Sequence, residues 1–586
     1  YTASFERHSF FVAMTNLEKS IEDDKVDLTS ASERASRMMG RVTTRGRYHR
    51  QDERNLDQDY QVDRAHILGS GANGAVWLVK CRRTGRSFAA KTYCLPGISE
   101  LKCKEIETEV EILLTVDHPH LARMVDAYES KDTLTLIMEL LEGGELFDRI
   151  ITLGHFTERH AAGCIWQMLL AIRYLHGLGI VHRDLKLENW LFEKQGGDDL
   201  KLIDFGLSKF WEPSKKMEMR VGTLDYMAPE VLHRNYTSKC DLWSLGVITY
   251  TLLVGSFPFA GRDGDTAMLQ RISGGKFAKE REAWQSASPT AKDFVEKLLS
   301  VNPTLRLSAD QALGHAWIAK REVVAKSYVS KDIVDALCSF SESSAFRRAC
   351  LSVMAISLSN EERAEVHKAF LEIDKDHSGT ITLSELKSVL EEKFHIQDDD
   401  VNRTFQSLQS PMSRDEEIHY SDFLAAMMST RISMHDDLLR GAFQRFDVDN
   451  SGFLTKKKLK LLLGDSLGDE ELDEVMNEVD ADHDGQISMN EFVEYLHCRR
   501  SNEKHLQAAH RAIDKELKRP TGTRSGSPSI PVRERRRSSV IVKKNSSRST
   551  LETTASTVLA KLADMCQPYC CDEVAARLLD LRSSMR

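Results

Sequence analysis

His182-Arg183-Asp184-Leu185-Lys186-Leu187-Glu188-Asn189 is the stretch on which the reading of this chain turns. It fits the pattern H-R-D-L-x-x-x-N, and on either side of it further motifs fall into a fixed order. Downstream stand Asp204-Phe205-Gly206 and Ala228-Pro229-Glu230; upstream, Leu68 leads into Gly69-Ser70-Gly71-Ala72-Asn73-Gly74-Ala75-Val76. By itself that glycine loop also reads as a dinucleotide fingerprint or a chance turn. Lys91 lies on a predicted strand seventeen residues past Gly74, and Glu109 in a helical run nine residues before His118. Alone, Glu109 reads as an ordinary exposed helical acid. Chance agreement of the whole ordered set is negligible.

The set resembles the eukaryotic protein-kinase family from Tyr60 to Ile318. The resemblance implies a bilobal α+β fold that moves the γ-phosphoryl group of ATP to protein Ser or Thr, a reaction that demands positioning and charge neutralisation. Asp184 then orients the acceptor hydroxyl and takes its proton, Lys186 balances charge, and Asn189 and Asp204 supply oxygens to Mg²⁺. Lys91 reaches the α/β-phosphates and pairs with Glu109. The expected ATP-binding set is Leu68, Gly69, Ser70, Gly71, Gly74, Val76 and Lys91, with Met138 as gatekeeper, Glu139 at the hinge and Glu145 beyond it. Glu145 and Glu188 also match positions at which basophilic kinases hold an arginine three residues before the acceptor. Between Asp204 and Glu230, Ser208, Ser214 and Thr223 offer no convincing phosphoswitch, so activation is expected from elsewhere in the chain.

A second constellation follows. A calcium loop of the EF-hand type places oxygens at positions 1, 3, 5, 7 and 9, turns on Gly at 6 and closes with a bidentate Glu at 12. Asp374, Asp376, Ser378, Gly379, Thr380, Thr382 and Glu385 meet each requirement, as do Asp480, Asp482, Asp484, Gly485, Gln486, Ser488 and Glu491. A third loop opens well with Asp447, Asp449, Ser451 and Gly452 but ends on Lys458, so poor calcium binding with retained folding is expected. Where a further hand is due, Pro411, Ser413, Asp415 and Glu416 stand instead, which predicts a structural hand. The helices entering the loops share one apolar frame: Val366, Ala369, Phe370, Ile373; Leu439, Ala442, Phe443, Phe446; Leu472, Val475, Met476, Val479.

Between the two constellations, residues 319–359 carry two amphipathic faces: Ile333, Ala336, Leu337, Phe340, then Phe346, Ala349, Cys350, Val353. A kinase domain, a short junction and a four-hand sensor in this order resemble the calcium-dependent protein kinases of plants and protists. That resemblance implies a junction that blocks the kinase at low calcium and is captured by the sensor when calcium rises, with ATP, Mg²⁺ and Ca²⁺ as cofactors. The expected domains are an arm over 1–59, disordered for its Ser- and Arg-rich composition, the kinase over 60–318, the junction over 319–359, the all-α EF-hand region over 360–497 and a tail over 498–586.

The 586 residues carry a net charge of −9, and 41% are hydrophobic and 29% charged, which suits several packed domains and excludes a global nucleic-acid signature. Protein substrates with a basic residue near the acceptor are the expected partners, together with the intramolecular contact between junction and sensor. No apolar run reaches the length of a spanning helix, and the longest, Leu242–Val254, reads as a buried helix. Eleven scattered cysteines indicate reduced thiols in a cytoplasmic setting, with peripheral membrane attachment as an addition that acylation of Cys566, Cys570 or Cys571 would bring. From Lys518 to Arg548 ten Lys/Arg face the single Glu534, and Ser538 and Ser539 each follow an Arg by three residues. Leu551–Leu581 reads as one more amphipathic helix.

Overall fold

The computed structural model describes residues 28–39, 47–50, 54–71, 74–261, 263–321, 328–409, 417–428, 436–449, 451–463 and 468–497. The readings for the inserted second loop at 410–416 and for the tail, with Ser538, Ser539, the three C-terminal cysteines and the helix at 551–581, lie outside these residues.

The first lobe is a six-stranded sheet of order β1-β5-β6-β4-β3-β2. Its strands are β1 (Tyr48–Arg50), β2 (Tyr60–Gly71), β3 (Gly74–Cys81), β4 (Ser87–Cys94), β5 (Met124–Glu129) and β6 (Thr133–Glu139). All pairings are antiparallel except β1 with β5. Alternation along β4 puts Ala90, buried, on one face and Lys91 with the buried Tyr93 on the other, where both reach Glu109. Two helices flank the sheet, α1 (Leu28–Met39) and α2 (Glu100–Thr115), the latter started by Ser99, whose hydroxyl accepts the Lys102 N–H.

The arm expected to be disordered over 1–59 is therefore partly built into the lobe. Ala31 and Ala35 of α1 are fully buried and the helix packs on α2, while β1 extends the sheet edge. Composition missed this because small residues one turn apart make a narrow contact stripe, and a strand added at an edge is held by backbone bonds that hydrophobicity does not report.

The second lobe is built around α3 (Glu158–Gly177) and α4 (Lys239–Val254). The expected helix at Leu242–Val254 lies within α4, which is buried on nearly all faces and ends on Gly255 in the left-handed conformation. Glu230 pairs with Arg306, whose side chain is entirely buried, and so pins the end of the activation segment to this lobe.

The junction forms α5 (Lys331–Ser341) and α6 (Ala345–Ile356). The sensor follows as α7 (Asn360–Ile373), α8 (Leu383–Phe394), α9 (Asp398–Leu408), α10 (Tyr420–Met428), α11 (Asp436–Phe446), α12 (Lys456–Leu463), α13 (Asp469–Val479) and α14 (Met489–His497). The hands pair as Ile381 with Ile418 in the first half and as β7 (Phe453–Leu454) with β8 (Ile487–Ser488) in the second. Ala336, Leu337, Phe340, Phe346, Cys350 and Val353 of the junction share one apolar core with the sensor, and Ile333 and Ala349 sit at its rim. Their faces are thus spent inside the sensor rather than over the catalytic cleft. Ile356, at the end of α6, packs instead with Tyr60, Val79, Ala90, Val125, Tyr128 and Ile137 of the first lobe.

Candidate active site and calcium loops

Lys91 Nζ bonds Glu109 Oε1 at 2.7 Å and Asp204 Oδ1 at 2.8 Å, joining β4, α2 and the Asp204-Phe205-Gly206 segment. Tyr93 donates to the other oxygen of Glu109. Burial works against the Asp204 charge, but Lys91 and the Gly206 N–H outweigh it and hold this carboxyl below its ordinary value. The same balance raises Lys91 well above the usual lysine range, burial being outweighed first by Glu109. Both partners stay ionised, as phosphate and metal binding require.

Asp184 receives the Thr223 hydroxyl at 2.7 Å and the Thr223 N–H at 2.8 Å, and Lys186 Nζ lies 3.1 Å from its other oxygen. Asn189 Nδ2 donates to the Asp184 carbonyl at 3.0 Å, and a His182 ring nitrogen lies 2.6 Å from the Asp204 carbonyl. The catalytic loop is thereby tied to the Asp204 segment through backbone. Thr223 and Ser208, whose hydroxyl donates to the His182 carbonyl, are both engaged internally, so neither stands as a free acceptor for phosphate.

Gly69 pairs with Val76, and Gly71 with Gly74, in the turn between β2 and β3; Val76 in turn faces Lys91 across β3 and β4. Gly74 has φ +120 and a Cβ there would meet the Thr92 carbonyl at 2.4 Å, so no other residue fits this approach. Leu68 is exposed, Ser70 pairs with Ala75, and Met138 is half-buried against the main core. Glu145 stands at the N-cap position of the helix Leu146–Leu153, with no capping bond from its side chain. Glu188 receives the Tyr226 hydroxyl at 3.2 Å, and burial pushes its carboxyl up. One assignment needs correction. The Glu139 carboxylate accepts from Lys201 Nζ at 2.8 Å and the Arg123 N–H at 2.8 Å and pairs with Arg363 of the sensor, so its side chain is no nucleotide ligand and only its backbone can serve.

In the first calcium loop, oxygens of Asp374, Asp376 and Glu385 lie within 4.8 Å of one another, and so do those of Asp480, Asp482 and Glu491 in the fourth. Asp374 accepts the Ser378 and Gly379 N–H groups, and Asp480 those of Asp484 and Gly485. The Gln486 N–H donates to Asp484. Thr382 and Glu385 cap α8 reciprocally, so positions 9 and 12 of the loop double as a capping box. Burial, with Glu385 and Asp376 close by, pushes the Asp374 carboxyl up to about 7. This convergence of hard oxygens short of positive charge fits Ca²⁺. Thr380, which offers its carbonyl at position 7, turns its hydroxyl to Glu417 of the second hand.

The third loop shares the fold, with Gly452 at φ 86 beside 87 for Gly379 and 85 for Gly485. Here the Lys458 ammonium stands among the loop oxygens. It bonds Asp447 Oδ1 at 2.6 Å, Ser451 Oγ at 2.6 Å and the Phe453 carbonyl at 2.7 Å, and pairs with Asp449. These are positions 1, 5, 7 and 3, so an internal cation takes the set a calcium ion would use.

Most of the residues that seat the sensor on the kinase belong to none of the sequence motifs. Arg445 pairs with Asp126 at 2.9 Å, Arg86 with Glu362 at 3.0 Å, and the Ser421 N–H donates to Asp117. The first calcium loop rests on α3, where a Cβ on Gly379 would meet Tyr174 at 2.5 Å. Contacts of this kind leave no periodic signal, because each residue's partner lies hundreds of positions away.

A two-lobed phosphotransfer site wired to a four-hand calcium domain defines a protein kinase with a built-in calcium sensor. The protein-kinase-domain model matches residues 62–318, and the EF-hand-domain-pair model matches 363–428 and 436–496. Calcium-dependent protein kinase 12 of Arabidopsis thaliana is 37% identical over 448 residues, covering 75% of this chain and 90% of that protein. Calcium-dependent protein kinase 3 of Oryza sativa subsp. japonica is 36% identical over 448 residues, covering 75% and 80%. A solved structure of the twitchin kinase region from C. elegans shares 32% identity with a TM-score of 0.43, covering 47% of this chain and 48% of that one. The chain belongs to the calcium-dependent protein kinases. It is a serine/threonine protein kinase that uses ATP and Mg²⁺ and binds Ca²⁺ through its EF-hands. No helix among the described residues is long and apolar enough to cross a membrane.

Proposed function

We propose that calcium activates this kinase through the loops at 374–385 and 480–491 and that it phosphorylates Ser or Thr with a basic residue three positions upstream. One observation carries the reading: junction helices lie inside the sensor core in the same structure in which Lys91, Glu109 and Asp204 are joined. In the low-calcium state the faces bearing Ile333, Leu337 and Phe340 leave the sensor and occlude the cleft. Calcium shifts this balance by no more than the sensor's differential affinity for the junction.

In the active state Asp184 orients the acceptor hydroxyl and takes its proton, with Thr223 and Lys186 fixing the carboxylate. Lys91, held by Glu109, clamps the α/β-phosphates, and the backbone of Gly69, Gly71 and Gly74 closes over them. Leu68, Val76 and Met138 enclose the adenine. Asn189 and Asp204 offer oxygens to Mg²⁺, which when bound neutralises charge on the phosphates. Glu145 and Glu188 hold the substrate arginine; Glu188, already short of solvation, gains a counter-charge on binding.

The test is phosphate incorporation into a basic peptide across a calcium titration, for the wild type, Glu385→Gln with Glu491→Gln, and changes at Asp449. The paired Glu variant is expected to lose the response, because each Glu supplies two ligand oxygens and draws in the exiting helix. Equal activity in chelator and saturating calcium would sink the switch. A peptide library is expected to favour Arg or Lys at the third upstream position by about 10- to 150-fold, and a flat profile there removes the substrate assignment.

A further inference from the structure

The hinge that follows Met138 is bonded directly to the sensor. Asn360 Nδ2 donates to the Leu140 carbonyl at 3.2 Å, and Arg363 pairs with Glu139, their side chains only 2% and 6% exposed. Glu139 is further fixed by Lys201 and by the Arg123 N–H. The Arg123 guanidinium in turn donates to the Ala355 and Ile356 carbonyls at the end of α6, at 3.3 and 3.0 Å. Asn360 and Arg363 occupy the first turn of α7, a 14-residue helix begun by a Ser359–Glu362 capping box. The C-cap of the same helix is Asp374, the first residue of the first calcium loop. One rigid rod of about 20 Å therefore spans from hinge to calcium loop.

We propose that Asn360 and Arg363 are positioning residues for the nucleotide, and that α7 makes calcium in the first loop and nucleotide in the cleft bind cooperatively. A hinge held by the sensor presents its backbone to the adenine in one arrangement; released, it must be ordered by the nucleotide itself, at a loss of affinity. Linkage makes the effect reciprocal, so nucleotide tightens calcium by the factor by which calcium tightens nucleotide. The inference rests on the calcium-driven exchange of the junction between cleft and sensor proposed above, with the sensor seated on the hinge when calcium is bound.

The experiment uses the full chain at saturating calcium and measures the dissociation constant of fluorescent ADP with Mg²⁺, together with KM for ATP and kcat. Arg363→Met and Asn360→Ala are each expected to weaken ADP by about 5- to 20-fold and to raise KM more than they lower kcat. Arg363→Lys, which keeps the charge on Glu139, is expected to recover most of the loss. Asn360 is half-exposed, so its variant keeps the question open should Arg363→Met fail to fold. In the wild type, saturating ADP is expected to lower the calcium midpoint read by titration calorimetry, and in Arg363→Met this shift is expected to collapse. ADP affinity within about twofold of wild type in both variants overturns the proposal, as does a wild-type calcium midpoint indifferent to ADP. Peptide phosphorylation with and without chelator separates the two claims. If activity ignores calcium while ADP and calcium remain linked, the switch falls and the hinge role stands. If activity follows calcium while Arg363 leaves ADP unaffected, the hinge role falls alone.

Discussion

Lys458 ends the third loop on a cation where a calcium loop ends on a bidentate Glu. Its ammonium satisfies the oxygens of the third loop from within, and Asp447, whose side chain is 4% exposed, is left no charge to share with a divalent ion. Lys458→Glu replaces that cation with the missing bidentate ligand at position 12. We expect calorimetry to find three calcium sites in this variant against two in the wild type. Lys458→Met is expected to gain no site and to destabilise the second half of the sensor by about 1–3 kcal/mol, because the buried Asp447 loses a charge-assisted bond. Chemical denaturation would read it, and an unchanged midpoint would mean that the ammonium contributes nothing to the loop.

At the scale of elements, α1 acts on the site through α2, the helix that carries Glu109. Ala31 and Ala35 are fully buried in this contact, whereas Arg34, 45% exposed, pairs with Glu111 at the rim. A large side chain at 35 overpacks the contact by about 1–3 kcal/mol. Ala35→Arg is therefore expected to lift α1, weaken the Lys91–Glu109 pair and lower kcat severalfold, with faster amide exchange in α2. Arg34→Ala removes a half-exposed ion pair worth about 0.2–1 kcal/mol and is expected to change kcat little. Equal effects of the two variants would show that α1 is passive. The junction makes the complementary point: its faces were legible from spacing, but spacing alone does not say which of two apolar surfaces, cleft or sensor, wins them.

For the whole molecule, the seat of the sensor on the kinase is built partly on buried imidazoles. The rings of His120 and His367 lie 4.9 Å apart across it, and His118 packs beside them against Tyr174. Burial pushes His120 down to about 4 and holds His118 and His367 well below their ordinary value; Asp199, Lys201 and Arg363 are the charges that face them. Neutral rings favour the docked state, so docking is fully stabilised above about pH 6.5 and lost progressively as pH falls toward about 4. Each histidine that regains solvent on undocking contributes up to about tenfold per pH unit. Small-angle scattering at saturating calcium is expected to show an expanded molecule at pH 5.5 relative to pH 7.5, less so in His367→Gln, and a constant radius would refute the dependence. Much of this protein was determined by the sequence alone. The order of Gly69–Val76, Lys91, His182–Asn189 and Asp204–Gly206, and the oxygen spacing of 374–385 and 480–491, are local patterns whose chemistry tolerates few residue types, so they declare the two folds and most of the site. Folding adds the way those parts meet: that the Glu139 carboxylate is taken by Arg363 of the sensor, leaving only its backbone to the nucleotide, that Lys458 occupies its own loop, and that α1 joins the first lobe. These depend on groups brought together from distant parts of the chain, where a buried charge or a small residue acquires its role from its partner, and periodicity along the sequence carries no record of the partner.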